Sequence, residues 1–408
     1  MKPSTSLFPY FALDSSLLDG PDLLAPDTVL TDITADLRWV TTSRGKQRDL
    51  DEFGIGDCQV ELNNQARKYD PTNTSSIYYG NIAPMRQVYV TAVLNGVDYP
   101  VWRGYIERWI VDYANPNLPL AGIDGADAFL LLSRAQMAEV AASFSGDLAG
   151  ARFSRVLDLA EVSFPAGSRS IATGKTTFGA STLAEEGGNP LRYLQKATQS
   201  EGGAFYVSKT GVLTFEERNT TFGSSVATFS DDGAAGSIRY LTIDQSTDSD
   251  LLYNRVVCAG TTGTEQIAQD IASQVDNSTV STLDRTGQLA SSDNLMLEQA
   301  QWLAFQYGTP ETRLRQVEVA VHSLSDARKA DLLALELTDR VTVVRTPTGG
   351  GSPATISQQA IVVGIDHDIS DGGKSWIVTV TFQAGSRIVP FILDDPVFGL
   401  LDSSPLAY

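Results

Sequence analysis

Several stretches of this chain carry residue types that could do chemistry, and each lacks something the chemistry needs. Thr173-Gly174-Lys175-Thr176 has the ending of a phosphate-binding loop, in which backbone N–H groups cradle phosphate and a lysine reaches it. Such a loop needs a glycine five residues before Gly174, where Arg169 stands, and Ser168 to Ala172 is not a clear strand. Gly349-Gly350-Gly351 lies between two β-rich runs and beside Pro347 and Pro353, so it reads as a hairpin tip; no helix follows, as a dinucleotide fingerprint requires. There are two histidines, His322 and His367, and neither a Gly-x-Ser-x-Gly elbow nor a His-Glu-x-x-His pair. In Asp366-His367-Asp368 on a strand, both carboxylates point to the face opposite the imidazole. Glu216-Glu217 and Asp231-Asp232 fail as glycosidase pairs for the same reason. Cys58 and Cys258 lie on apolar strand positions far apart, which fits buried free thiols better than a disulfide, and makes no metal cluster. The sequons at Asn73, Asn219 and Asn277 carry little weight without a secretory signal. No catalytic residue, cofactor site or metal site is expected, and the chain does not read as an enzyme.

Bulk composition agrees. The 408 residues are 42% hydrophobic and 9% aromatic, as in folded proteins with room for several cores. Lysine and arginine number 30 against 49 acids, a net charge of −19. That balance disfavours a protein that grips nucleic-acid phosphates. The apolar run from Leu7 to Leu13 is broken by Pro9 and followed by no clear cleavage site, so a signal peptide is not expected. Leu118 to Leu132 contains Asp124 and Asp127, so no membrane segment is expected.

The elements that organise the chain begin at residues 57–113. Asp57 to Asn64 alternates apolar and polar residues, as a half-buried strand does. A polar excursion, Gln65 to Tyr79, follows. Then Gln87–Leu94, Asn95-Gly96 and Val97–Trp109 form a strong hairpin signal, because a type I′ turn needs positive φ at both central residues. With a strand around Ile33–Trp39, turned by Ser43-Arg44-Gly45-Lys46, and another at Leu118–Ile123, this makes a small barrel or sandwich. The dense aromatics here (Tyr69, Tyr78, Tyr79, Tyr89, Tyr99, Trp102, Tyr105, Trp109) fit a core or interface better than a sugar platform.

After Gly125 helical patterns appear at Asp127–Ala141, at Arg152–Val162, and after Asn189, with Asn189 as N-cap, Pro190 at the first helical position and Gly202 as the stop. Ala204–Val207 and Val212–Phe215 read as a hairpin. Further strands are expected at Leu251–Ala259, Val317–Val321, Arg340–Arg345, Gln358–Ile369 and Lys374–Phe382, with helices at Leu295–Tyr307 and Leu324–Leu335. The fold class is α+β, mainly β. The expected organisation is an arm (1–27), a first β-barrel-like domain (28–124), an α+β insert (125–225), a second β-rich domain with helices (226–387) and a C-terminal arm (388–408).

The C-terminal arm holds two apolar clusters, Ile388 to Leu393 and Val397 to Leu401, separated by Asp394-Asp395-Pro396. Its prolines oppose regular structure, and its apolar residues must be buried somewhere, against this subunit or a neighbouring one. Phe391, Ile392, Leu393, Val397, Phe398 and Leu400 are the candidate partner interface.

An ordered set of strings carries a resemblance. Val60-Glu61-Leu62-Asn63-Asn64, Lys68-Tyr69-Asp70-Pro71-Thr72-Asn73 and Val101-Trp102-Arg103-Gly104-Tyr105-Ile106 come first. Asn189-Pro190-Leu191-Arg192-Tyr193-Leu194, Tyr253-Asn254-Arg255-Val256, Asp339-Arg340-Val341-Thr342-Val343 and Phe391 to Asp402 follow. Together they resemble the minor tail proteins of long-tailed phages, especially those of actinobacteria, which form the trimeric baseplate hub. The resemblance implies a structural virion protein at the tail tip, assembled in the host cytoplasm. It implies a homotrimer with two barrel-like, tube-type domains per subunit, which adapts a six-fold tail tube to a three-fold tip. It also implies contacts with the distal tail or tail-tube protein, the tape-measure protein and other minor tail proteins. DNA would pass through the lumen without specific binding, and a net charge of −19 fits a wall that does not hold phosphates. The alternative is a carbohydrate-binding tail protein that touches the host envelope through the aromatic-rich first domain.

Overall fold

The computed structural model describes residues 2–4, 31–115, 117–137, 146–181, 187–218, 220, 224–234, 236–247 and 249–385. The first region contains β1 (Lys2–Ser4), β2 (Leu37–Gly45), β3 (Asp57–Asn63), β4 (Gln87–Leu94), β5 (Val97–Asp112) and β6 (Leu120–Ala126). The second contains α1 (Phe129–Arg134), β7 (Asp147–Leu148), α2 (Ala149–Leu157), β8 (Arg169–Ile171), β9 (Thr177–Phe178), α3 (Pro190–Glu201), β10 (Ala204–Val207) and β11 (Leu213–Glu216). The third begins with β12 (Ala227–Ser230), β13 (Ile238–Arg239), β14 (Thr242–Thr247), β15 (Arg255–Gly260), β16 (Gln266–Gln269), α4 (Ile271–Asp276), β17 (Thr282–Gln288) and α5 (Asp293–Tyr307). It ends with β18 (Thr312–Ala320), α6 (Asp326–Ala334), β19 (Arg340–Arg345), β20 (Ile356–Ser370) and β21 (Ser375–Ala384).

The chain is mainly β, and among the described residues the largest sheet has 13 strands. The path runs β1-β4-β5-β6-β3-β2-β20-β19-β12-β13, with β21, β18 and β14 branching from β20. The β4–β5 hairpin turns at Asn95 and Gly96, whose φ values of 51° and 80° are those its turn type demands.

The two expected β domains are not separate closed barrels. No sheet closes among the described residues; instead both regions share β20. Arg345–Arg340 of β19 pairs with Ile356–Ile361, and Val40–Gly45 of β2 pairs with Ile369–Gly364, so the two strands lie end to end along one edge of β20. The other edge is taken by β21. A strand with partners on both edges and packed faces must be apolar, and Ala360–Ile365 is buried without interruption. The expected turn at Ser43–Lys46 is instead the end of β2, where Thr42 and Arg44 are buried. Gly45 is required there: at φ +112° its backbone passes so close to Val363 that a Cβ would lie 2.1 Å from the carbonyl oxygen.

α3 forms as its signals demand. The Asn189 side chain accepts from Arg192 N at 3.1 Å, Pro190 opens the helix, and Gly202 ends it at φ 75°. α1 and α2 are shorter than expected, and residues 138–145 of the first expected helix lie outside the described residues. The insert is a three-stranded sheet, β10-β11-β8, covered by helices around Phe153, which stacks on Phe215 at 4.0 Å and meets Phe205 edge-on at 5.0 Å. Its core runs on into that of β18–β21, whereas the first region keeps its own core around Val60, Trp102 and Ile123.

The third region holds a module not anticipated from the sequence. β14 and β18 are antiparallel neighbours, and between them the chain builds a second three-stranded sheet, β16-β15-β17, with α4 and α5. Its core is Val256, Cys258, Met296 and Ala300.

Candidate functional site

The residues that could have done chemistry are occupied in holding the fold. The N–H groups of Lys175 and Thr176 donate to the two oxygens of the buried Glu201 carboxylate at 2.9 and 2.7 Å. The loop is an anion-binding turn, and its anion is supplied from α3. His367 points inward while Asp366 and Asp368 point away, and its Nδ1 accepts from Trp376 Nε1 at 3.1 Å. Burial, with Arg44 and Lys209 nearby, pushes the imidazole down to about 3, so it is neutral at physiological pH. His322 Nε2 lies 3.0 Å from the Gly373 carbonyl oxygen. Glu216 accepts from Thr338 Oγ1 and Tyr206 OH at 2.7 and 3.0 Å, and Glu217 pairs with Lys175 at 3.1 Å. Asp231 accepts from Thr346 N at 2.6 Å, and Asp232 accepts from Ala234 N at 2.8 Å. Cys58 and Cys258 are buried free thiols, both pushed up by burial, Cys258 to about 12. Among the described residues no three His, Cys, Asp or Glu side chains gather as a metal site would require, and no helix is long and apolar enough to cross a membrane.

Lys68-Tyr69-Asp70-Pro71-Thr72-Asn73 is a clasp for the long loop after β3. Tyr69 OH and Lys68 Nζ both donate to Asp36 Oδ2 at 2.6 Å. Asp70 accepts from Thr72 N and Oγ1, from Tyr113 OH at 2.7 Å and from Arg67. These donors, the Thr72 hydroxyl foremost, hold the Asp70 carboxyl well below the usual carboxylate range. The Tyr69 ring stacks with Tyr78 at 5.5 Å and with Trp109 at 6.2 Å. Tyr69 and Trp102 are thus interior residues, and of the aromatics singled out in this region only Tyr79 is largely exposed.

A buried ionic junction joins the three regions. Arg44 of β2 donates to Glu336 Oε1 at 2.6 Å, and its side chain is only 3% exposed. Glu336 also accepts from Lys209 N at 3.0 Å and Leu337 N at 3.0 Å. Lys209 Nζ reaches the carbonyl oxygens of Leu333, Ala334 and Leu335 at the end of α6, where the helix dipole favours a cation. Next to Arg44, the buried Asp127 accepts from Gly56 N and Phe129 N at 2.8 and 2.9 Å; burial outweighs these contacts and pushes it up to about 7. The first region is thereby tied to the insert hairpin and to the loop before β19.

A cleft of about 210 Å³ opens between the loop after β2, α3, the β10–β11 hairpin, α5 and β20. Its walls combine aromatic rings, including Phe53, Trp302 and Tyr307, with Lys46, Asp49 and Arg285. Lys46 Nζ donates to the Asp49 carbonyl oxygen and lies 5.2 Å from the Phe53 ring centre. Burial raises the Asp49 carboxyl to about 6 and lowers Lys46 to about 8. Separately, Ile267, Ile271, Val275 and Val280 are exposed on the β16–α4–β17 layer, the middle two one turn apart on one helix face.

The candidate interface residues Phe391, Ile392, Leu393, Val397, Phe398 and Leu400 lie outside the described residues, as does the expected N-terminal arm apart from Lys2–Ser4, whose backbone pairs with β4.

No family model matches the chain. No curated protein matches its sequence significantly. Solved structures do match its fold. The 43 kDa tail protein of prophage MuSo2 from Shewanella oneidensis superposes with a TM-score of 0.56 at 12% identity, covering 88% of this chain and 96% of that one. The tail protein from Neisseria meningitidis MC58 gives 0.56 at 12% identity, over 86% and 96% of the two chains. The E. coli c3393 protein is described as a component of the type VI secretion system with structural similarity to the T4 bacteriophage tail proteins gp27 and gp5. It gives 0.51 at 10% identity, over 87% of this chain and 75% of that one. At such identities the shared property is the fold, which this chain has in common with these two tail proteins and the secretion-system component.

Proposed function

We propose that this chain is a structural component of a phage tail, and within the tail the hub at its tip. The observation that carries the reading is the fold match over 88% and 86% of this chain and 96% of each tail protein, rather than over one common β module. Three further features support it. The string that resembles minor tail proteins, Lys68 to Asn73, is an architectural clasp, the polar clusters are bonded inside the fold, and the β16–α4–β17 layer exposes apolar residues. No catalytic role is assigned.

In the finer form of the proposal three copies close a ring whose β regions meet the six-fold tube. The ring surrounds the channel for the tape-measure protein and later DNA, and assembly takes place in the host cytoplasm. A ring closed by cyclic symmetry leaves no open-ended contacts. A chain of net charge −19 suits a lumen through which DNA slides. The test is the mass of the purified protein, alone and with the tail-tube protein, combined with electron microscopy of tails labelled on this chain. A three-copy ring and label at the tip are the expected results. A monomer that never joins the tube protein, or label along the tube or on the head, would overturn the proposal.

A further inference from the structure

The cleft wall has acceptors that no side chain serves. Asp49 lines it and is only 8% exposed, yet among the described residues its carboxylate makes no ion pair and accepts no side-chain hydrogen bond; the Ala384 backbone N–H faces it. Asp51, exposed in the same wall, has no ion pair among them either. The cations of the wall are turned elsewhere. Lys46 Nζ donates to the Asp49 carbonyl oxygen and not to its carboxylate, and Arg285 Nη2 donates to Leu50 O at 3.4 Å. The amide donors are spent in the same way, Gln195 Nε2 on Phe53 O at 3.1 Å and Gln383 Nε2 on Tyr307 OH at 3.5 Å, while the oxygens of both amides accept nothing among the described residues. Acidic lining residues outnumber basic ones five to three. Burial holds the Asp49 carboxyl near 6 although Lys46 and Arg313 are in electrostatic range, as befits a carboxylate taken from water with no counter-ion in contact.

A ligand for such a wall must donate and must be positive. The rings of Phe53, Trp302 and Tyr307 favour the same sign, because an aromatic face attracts a cation. At about 210 Å³ the cleft is smaller than the roughly 300–1,000 Å³ of sites that enclose a drug-sized molecule, so it admits one side chain or one small ring. A sugar ring would bring acceptors as well as donors and leave Asp49 without a counter-charge. A guanidinium has five N–H donors, no acceptor and a planar face that stacks on aromatic rings. We propose that the cleft receives the guanidinium of one arginine side chain presented by a partner protein, paired with the Asp49 carboxylate and laid against the aromatic wall. A chain of net charge −19 draws basic partners toward it. This inference is independent of the tail-tip reading, because it concerns a site within one subunit.

Calorimetric titration of the full chain with acetyl-Gly-Arg-Gly-amide, with its citrulline counterpart (the uncharged isostere) and with N-acetylglucosamine tests the site. The arginine peptide is expected to bind at one site, about tenfold or more tighter than the citrulline peptide. Equal affinity for the two peptides, tighter binding of the sugar, or no saturable binding of the arginine peptide would overturn the proposal. These comparisons use the wild-type chain, so they decide whether or not a variant folds. Asp49→Asn should weaken the arginine peptide about tenfold and leave the citrulline peptide unchanged; an arginine preference that survives the substitution would put the cation elsewhere and overturn the site. Proton release gives an independent readout. The charged groups around Asp49 are Lys46 and Asp51 of its own loop, Arg285 of β17, Arg313 of β18 and Glu311 just before it. A cation that pairs with ionised Asp49 expels its proton, so at pH 6 about half a proton should leave per peptide bound, read from the heats in buffers of different ionisation enthalpy, and none in Asp49→Asn. Equal release from both chains would overturn the pairing.

Discussion

Removing the Glu336 carboxylate tests whether the ionic junction couples the regions of this protein. Glu336→Ala strands the Arg44 guanidinium, 3% exposed, and takes the acceptor from Lys209 N and Leu337 N. Breaking a buried pair by removing one partner costs about 3–5 kcal/mol. Glu336 itself is 22% exposed, so water reaches the vacated side and the lower figure, about 3 kcal/mol, is expected. With an unfolding entropy near 2.1 cal/mol/K per residue, a chain of 408 residues loses roughly 1.2 °C per kcal/mol, so the midpoint of the transition that includes the first β region should fall by about 4 °C. Replacing both partners with apolar residues, Arg44→Met with Glu336→Met, removes the stranded charge and should recover about 2 kcal/mol relative to the sum of the two single variants. Calorimetry of the two single variants and the double variant measures this. A Glu336→Ala midpoint within about 1 °C of wild type, or single effects that simply add, would refute the argument that the pair is buried and coupled.

Glu201→Gln replaces one acceptor oxygen with an NH₂ that faces a backbone N–H, so about 2–3 kcal/mol of stability should be lost, measured by urea unfolding, while addition of ATP or inorganic phosphate leaves the midpoint of wild type unchanged. His367 is held at about 3 against 6.5 when unfolded, so the unfolded chain binds the extra proton between those values. Its contribution is complete above pH 6.5 and declines as pH falls toward 3; in His367→Gln the acid limb of the stability profile should be shallower over that window. Gly45→Ala places a methyl 2.1 Å from the Val363 carbonyl oxygen at a positive φ, and should raise hydrogen exchange along both β2 and the Gly364–Ile369 half of β20, whereas an unaltered pattern would show that the β2–β20 seam yields easily. Deleting residues 388–408 should abolish stable assembly while leaving a cooperative thermal transition; normal tails built with that chain would remove any role of the arm between subunits.

Elements with strong local signals were legible. The Asn95-Gly96 hairpin, the Asn189-Pro190…Gly202 helix, the β10–β11 hairpin and the placement of Asp366 and Asp368 opposite His367 follow from turn geometry, capping and strand alternation, which act within a few residues. The sheet of β15–β17 was not legible as a module, because its strands β16 and β17 are short, polar and partly exposed, and its register is set by packing under α5. The cleft and the junction escaped for the same reason. Arg44 and Glu336 are separated by 292 positions, and no periodicity announces that they touch.

By itself the sequence determined that the chain is mainly β with helices mixed in, and it carried ordered strings that resemble phage tail proteins. Tertiary structure alone decided that the two β regions share one long strand instead of closing separately. The reason is that a backbone edge is chemically uniform. Any strand can extend a ladder with any other, and only the packing of both faces of β20 selects β2 and β19 as successive partners along one edge.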